Sequence, residues 1–226
     1  MSPRGSVVLL SGGMDSATCL ALAAREAPPV HALTFFYGQR HVRELRSARR
    51  LAARFRVAAH RVVRLPLDTL VRSALTRPSA PLPARGPRRG SIPSTYVPAR
   101  NTILLALALG YAESHRLDRI YFGANAVDYS GYPDCRPEFV RGFNALARRA
   151  VRSRREGGLR IRVVAPLVSL SKGEIVRLGD RLGVPWELTW SCYAGGRAPC
   201  GRCDSCRLRA RGFREAGVRD PTVRPT

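Results

Sequence analysis

The sequence predicts a Rossmann-like α/β fold, a parallel sheet with helices on both faces, followed by a small cysteine-bearing appendage. Three observations carry that reading. Short apolar runs alternate with segments of helical period, the first run ends in a glycine pair that opens a helix, and four of the six cysteines cluster near the C-terminus.

Residues 6–10 form the first apolar run, and Gly12 and Gly13 end it. Residues 15–25 follow, with Ala17, Leu20, Ala21 and Ala24 at the spacing of one helix face. A second strand is expected over 30–37, an arginine-rich helix over 40–55 and a third strand over 57–65. Residues 66–98 hold seven of the seventeen prolines, with glycines and arginines among them, so a mobile loop without regular structure is expected there. An apolar helix over 101–114, a strand over 119–124, a glycine- and proline-containing loop to Cys135 and a helix over 137–152 come next. A last strand over 159–165 leads to a helix over 172–182, whose start is marked by Ser171 as N-cap with Glu174 three residues on. Such alternation implies a parallel sheet covered on both faces. The main domain is expected over 1–185, with 186–226 packed on it as a metal-binding segment.

At 226 residues the chain can bury one principal core. No apolar stretch approaches the roughly 18 residues that a membrane-spanning helix needs, so no membrane association is expected. The first residues lack the longer apolar region and cleavage site of a signal peptide, which makes a cytoplasmic protein the expectation. Cytoplasmic thiols stay reduced, and clustered ones point to a metal rather than to disulfides.

The formal net charge is +23, and Lys172 is the only lysine among 39 basic residues. A nucleotide bias favouring arginine codons is one account, and a polyanionic partner such as tRNA is the other. The arginines are scattered along helix faces instead of gathered in one stripe, which favours the first account, so no nucleic acid is required as a partner.

The segment Ser11-Gly12-Gly13-Met14-Asp15-Ser16 lies between an expected strand and an expected helix, where unpaired amides and the positive end of the helix dipole make an anion site. The glycines admit a pyrophosphate close to the backbone, the hydroxyls of Ser11 and Ser16 can donate to it, and Asp15 suits magnesium or a ribose better than a phosphate. Neither the Walker pattern nor the three-glycine dinucleotide pattern fits. The segment instead resembles the SGGxDS signature of the PP-loop ATP pyrophosphatases, whose fold is adenine nucleotide alpha hydrolase-like. That resemblance implies ATP as cosubstrate, attack at its α-phosphorus and an adenylated intermediate. Lys172 has two open readings, a second phosphate contact and a surface lysine in the first turn of a helix.

Cys192, Cys200, Cys203 and Cys206 are spaced C-x7-C-x2-C-x2-C, with Gly195, Gly196 and Gly201 supplying turns. Four thiolates fill a closed tetrahedral Zn²⁺ site, which leaves no open position and gives the ion a structural role. An iron–sulfur cluster is the rival. Cys19 reads as a small buried residue. Cys135, in the loop with Asp128 and Asp134, has no settled role.

Five segments, in order, resemble the 7-cyano-7-deazaguanine synthase family of queuosine biosynthesis. They are the phosphate loop, residues 36–41 (FYGQRH), 96–101 (YVPARN), 128–136 (DYSGYPDCR) and 189–193 (TWSCY) leading into the cysteines. The resemblance implies a ligase that adenylates 7-carboxy-7-deazaguanine with ATP, admits ammonia to give an amide, and adenylates again to give the nitrile. It implies Mg²⁺, a homo-oligomer, an ATP site over Leu10, Ser11, Gly12, Gly13, Met14, Asp15, Ser16, Ala17, Thr18, Cys19 and Leu20, and zinc on the four cysteines. Arg100 suits a carboxylate or phosphate in bidentate fashion. Asn101, Asp128 and Asp134 are further substrate-binding candidates, with turn and capping duties as the alternative. Asp15, Lys172 and Asp128 are the candidate catalytic residues. Two departures stand out: Ala99 takes a place where glycine is expected, and the loop after Arg72 is longer and richer in proline and arginine. A PP-loop enzyme acting directly on tRNA and a non-catalytic zinc-knuckle protein that binds nucleic acid are the alternatives. The first should carry a dedicated RNA-binding patch, and the second leaves the phosphate loop unexplained.

Overall fold

The computed structural model describes residues 3–38, 43–76, 92–125, 131–152 and 156–222. Five strands, β1 (Ser6–Leu9), β2 (Val30–Phe36), β3 (Ala59–Arg64), β4 (Arg119–Tyr121) and β5 (Arg162–Val164), form one sheet in the order β3-β2-β1-β4-β5. Every pairing is parallel. From β1 the chain steps outward to β2 and β3, then crosses back to lay β4 on the other side of β1. That reversal leaves a crevice at the C-terminal ends of β1 and β4, where ligands of open α/β sheets bind.

The helices are α1 (Met14–Glu26), α2 (Arg43–Arg54), α3 (Leu67–Leu70), α4 (Arg100–Ser114), α5 (Pro137–Ala150), α6 (Lys172–Arg181) and α7 (Asp204–Ala216). They divide between the two faces, and β1 shows why. Its side chains alternate: Val8 and Leu10 join a core with α1, α2, α6 and α7, while Val7 and Leu9 join a second core with α4 and α5. A strand buried on both faces reads as an unbroken apolar run, which is how residues 6–10 looked in the sequence.

The expected capping box at α6 is formed: Glu174 N–H donates to Ser171 Oγ at 3.3 Å, and Ser171 N–H donates to Glu174 Oε2 at 2.8 Å. The two outer strands on the β5 side are shorter than expected. After Tyr121 a single bond continues the ladder, Phe122 N–H to the Val164 carbonyl at 2.9 Å, and residues 122–124 then turn to wall a cavity.

The stretch expected to be a loop without regular structure contains α3, and its two ends are tied by Ala74 N–H to the Ser94 carbonyl at 3.0 Å. Thr76, Thr95 and Val97 are buried there, so turn hydrogen bonds and burial order the ends despite the prolines. Residues 77–91, at the centre of that stretch, lie outside the described residues.

Close approach of α6 to α7 joins the cysteine segment to the sheet domain. A Cβ on Gly212 would lie 2.9 Å from Lys172 Cβ, and one on Gly173 would lie 2.8 Å from Glu215 Cβ. Trp186 and Phe213 meet edge to face, their centroids 5.3 Å apart, inside the core that also holds α1. Arg209 holds the segment that follows α7, bonding Asp220 through Nε at 2.7 Å and through Nη2 at 3.0 Å. Among the described residues no helix is long and apolar enough to cross a membrane.

Candidate active site

The crevice opens into a cavity of about 280 Å³. Its floor is the phosphate loop, which runs from the end of β1 into α1. Gly12 has φ +91°, and a Cβ there would strike the carbonyl of Glu44 and the backbone of Ala48, so α2 can lean on the loop only where the side chain is absent. Ser16 Oγ accepts from Gly12 N–H at 3.2 Å and donates to the Gly13 carbonyl at 3.0 Å; Ser11 Oγ lies 3.0 Å from it. Helix α1 starts at Gly13 with no side-chain cap. The amides of its first turn, which have no intrahelical acceptor, therefore remain for an anion.

Of the eleven residues carried over as the ATP site, Leu10, Ser11, Gly13, Met14, Asp15 and Ser16 line the cavity. Ala17, Thr18, Cys19 and Leu20 are fully buried behind it. Thr18 Oγ1 donates to the Met14 carbonyl at 3.0 Å, and burial pushes the Cys19 thiol up, so Cys19 is an inert core residue.

Lys172 is neither exposed nor accidental in its placement. It is 8% exposed, and its Nζ lies 2.7 Å from Asp15 Oδ2. Asn125 Nδ2 donates to the same oxygen at 3.3 Å. Asp15 Oδ1 is buried with no hydrogen-bond partner among the described residues. An acidic oxygen beside an amine over an amide-lined turn is a place for a cation–polyphosphate pair.

The opposite wall comes from the start of α4. Arg100 is half-buried; its Nη1 donates to Tyr37 Oη at 3.3 Å and its Nε to Asn101 Oδ1 at 3.2 Å. Asn101 is 3% exposed. Its backbone N–H donates to Asp134 Oδ2 at 3.0 Å, and its Nδ2 donates to Asp134 O at 3.3 Å and Cys135 Sγ at 3.2 Å. Asp134 therefore anchors the first turn of α4, and it is not among the residues lining the cavity. Cys135 does line it. Asp128 lies outside the described residues.

Two groups at the site receive no role from the sequence, although the second lies in the 189–193 segment. Glu44, in the first turn of α2, lines the cavity beside the phosphate loop. Burial pushes its carboxyl up to about 7, against the pull of Arg100. Its signal was faint: it is the single acid in the helix RELRSARRLAAR, a segment that reads as a solvated arginine face. Trp190 is the other. Its N–H donates to the Gly12 carbonyl at 2.9 Å, its Nε1 donates to the Cys192 carbonyl at 2.9 Å, and the Arg43 guanidinium lies 4.9 Å from its ring centroid. Trp190, Ser191 and Tyr193 thus carry the cysteine segment over the phosphate loop as a wall of the cavity.

The sulfurs of Cys192, Cys200, Cys203 and Cys206 all lie within 4.8 Å of one another. A tetrahedral ion with bonds of about 2.3 Å would hold its sulfurs roughly 3.8 Å apart, and Cys200 and Cys206 are already at 4.0 Å. Cys192 Sγ accepts from the amides of Ala194 at 3.4 Å and Cys200 at 3.3 Å, and Cys200 Sγ accepts from Cys203 N–H at 3.4 Å. These amides stabilise thiolates. Although burial raises the Cys200 thiol, the amides of Arg202 and Cys203 bring it down to about 6. The donor set and its spacing fit a metal ion.

Five parallel strands, a glycine loop leaving the first of them and a lysine–aspartate pair over that loop define a PP-loop nucleotide-binding protein. Two solved structures share the fold: NMN synthetase from Francisella tularensis, with 18% identity, TM-score 0.52, and coverage of 96% of this chain and 79% of that one, and a predicted subunit of tRNA methyltransferase from Methanocaldococcus jannaschii, with 14% identity, TM-score 0.50, and coverage of 98% and 92%. Their named activities differ, so they speak for the architecture alone. The family model described as queuosine biosynthesis protein QueC matches residues 5–217, and the chain belongs to that family. Relatives named 7-cyano-7-deazaguanine synthase include those of Nostoc punctiforme, 50% identical over 96% of this chain and 98% of that protein, and Xanthomonas campestris pv. campestris, 57% identical over 97% of each. Another, from Anaeromyxobacter dehalogenans, is 55% identical over 97% of this chain and 95% of that protein.

Proposed function

We propose that the chain is an ATP-dependent ligase that converts 7-carboxy-7-deazaguanine and ammonia to 7-cyano-7-deazaguanine. The observation that carries this reading is the cavity that joins the phosphate loop and Lys172–Asp15 pair on one side to Arg100 on the other, in a chain of this family. ATP lies with its phosphates on the first-turn amides of α1. Lys172 neutralises charge that builds on pyrophosphate as it leaves. Asp15, through its unpartnered Oδ1, would help hold Mg²⁺, which when bound would offset phosphate charge facing the attacking carboxylate. Arg100, which lines the cavity and is braced by Tyr37 and Asn101, orients that carboxylate toward the α-phosphorus. Ammonia displaces AMP from the adenylate, and a second adenylation converts the amide to the nitrile.

The four cysteines hold Zn²⁺ in a closed site, and the ion supplies structure instead of a reactive position. The protein works in the cytoplasm as a homo-oligomer; Leu107 on α4 and Leu146 on α5, both solvent-exposed, are apolar positions that a second copy can cover.

Mass spectrometry tests the reading directly. The protein is incubated with ATP, Mg²⁺, ammonium and 7-carboxy-7-deazaguanine, and AMP, pyrophosphate and nitrile are measured beside an Asp15→Asn variant. Nitrile formation with two AMP per product, lost by about 100-fold or more in the variant, is the expected outcome. AMP release only on adding tRNA and a sulfur donor would move the enzyme to direct tRNA modification.

A further inference from the structure

Turning the amide into a nitrile removes two protons from one nitrogen. The amide oxygen attacks the α-phosphorus of ATP, pyrophosphate leaves, and the nitrogen gives up one proton to leave an imidate adenylate. The C–O bond then breaks, AMP departs, and the nitrogen gives up its second proton as C≡N forms. Amide and ATP thus yield nitrile, AMP, pyrophosphate and two protons. The first proton leaves an O-adenylated iminium and needs only an acceptor; the second leaves a neutral imidate N–H, a weak acid, and that loss calls for a placed base.

Among the described residues, the cavity walls carry two carboxylates, Asp15 and Glu44, and no histidine. Asp15 is engaged by Lys172 and Asn125. Its remaining oxygen suits a cation. Glu44 has no hydrogen bond or salt bridge among the described residues; its principal electrostatic neighbour is Arg100. Its backbone abuts Gly12 of the phosphate loop, and the residue lines the cavity within electrostatic reach of Arg100.

We propose that Glu44 is the base that takes the protons from the nitrogen during nitrile formation, a role that rests on the ligase reading above. It accepts the first proton as the imidate adenylate forms, passes it to solvent, and accepts the second as AMP leaves. Arg100 from α4 is the charged group that acts on it; Tyr37 from the end of β2, Asp15 from α1, Lys172 from α6 and Cys135 line the same cavity, and Arg43 is its neighbour on α2. The wall that desolvates Glu44 also makes it a stronger base than an exposed carboxylate.

The test supplies acid or amide separately, with ATP and Mg²⁺, to the wild type, Glu44→Gln and Glu44→Asp. Glu44→Gln is expected to bind ATP with wild-type affinity, to lose nitrile formation from the amide by about 100-fold or more, and to lose less of its amide formation, so that amide accumulates when acid and ammonia are supplied. The wild-type nitrile rate should rise with pH to a midpoint near 7, and that limb should vanish from the residual Glu44→Gln rate. A Glu44→Gln nitrile rate within a few-fold of wild type overturns the role. So does an equal rise in KM for acid and amide with kcat unchanged, the signature of a carboxylate that only grips the ring. If circular dichroism shows Glu44→Gln unfolded, Glu44→Asp decides: its carboxylate is withdrawn by one methylene, and an undiminished nitrile rate overturns the role. Absence of nitrile from the wild type itself would instead sink the ligase reading.

Discussion

The cavity lies between two glycine-bearing turns held in opposite ways. The phosphate loop is fixed by what surrounds it: β1 is buried on both faces, α1 sets Ala17, Cys19 and Leu20 into the core, and Ser16 binds the turn internally. The cysteine turn has a cluster of its own made of little beyond its own sulfurs, with Trp190, Tyr193 and Cys200 partly buried against Cys192, Cys203 and Cys206. The first turn is therefore a product of the fold, and on the ligase reading proposed above the second would depend on an ion held by its four sulfurs. Trp190 joins the two through its N–H bond to the Gly12 carbonyl, so disorder in the second would remove one wall of the cavity above the first.

The largest effect should come from removing the ion. Structural zinc contributes on the order of 10–16 kcal/mol to small zinc-binding peptides, far more than this cluster gains from packing. Cys203→Ser is expected to lose about one zinc per chain and to abolish hydrogen-exchange protection over 192–206. Protection of β1 and β2 should persist, while affinity for ATP falls about tenfold as the Trp190 wall is lost. Protection of 192–206 that survives complete loss of metal would show that packing holds both turns. Iron and acid-labile sulfide in place of zinc would change the ion but leave the comparison standing.

The converse change strikes the phosphate loop and spares the cysteines. Gly12→Ala places a methyl against Glu44 O and Ala48 N on a backbone at φ +91°. The expected cost is roughly 2–4 kcal/mol, shared between stability and ATP binding, with zinc content unchanged. Calorimetry with ATP and metal analysis on one preparation check both halves. Wild-type ATP affinity would mean that α2 can move off the loop.

What the sequence disclosed follows the same division. The β1–loop–α1 unit was legible because burial on two faces, a glycine that must stay bare and a helix start are all written locally. The cysteine spacing was legible because four ligands for one ion leave few other readings. The far wall was less so: Asp134 read equally as a substrate-binding candidate or as a capping residue, and which helix start lies beside it, the Asn101 N–H of α4, is not written in the sequence. Glu44 passed for part of a solvated helix because its burial arises from α2 resting on a loop some thirty residues earlier in the chain. Lys172 stood out by its chemistry, yet it is the packing of α6 against α1 in one core that brings its amine to Asp15.

The smallest expected effect falls at the entrance to α4, where alanine takes a place at which glycine was expected. Ala99 sits at φ 53°, ψ 15°, left-handed, as the N-cap of the helix that carries Arg100. That conformation costs an alanine roughly 1–2 kcal/mol, while glycine would lose about 0.5–1 kcal/mol through the greater freedom of the unfolded chain. Ala99→Gly should therefore stabilise the protein by about 0.5 kcal/mol and raise Tm by one or two degrees, read by calorimetry. The side chain is exposed and its N–H keeps its bond to Tyr96 Oη, so kcat should not change. A lower Tm would mean that the methyl's contribution to the unfolded-state balance outweighs its strain. The entrance would then be held by its neighbours, as the phosphate loop is, with the residue's own backbone preference secondary.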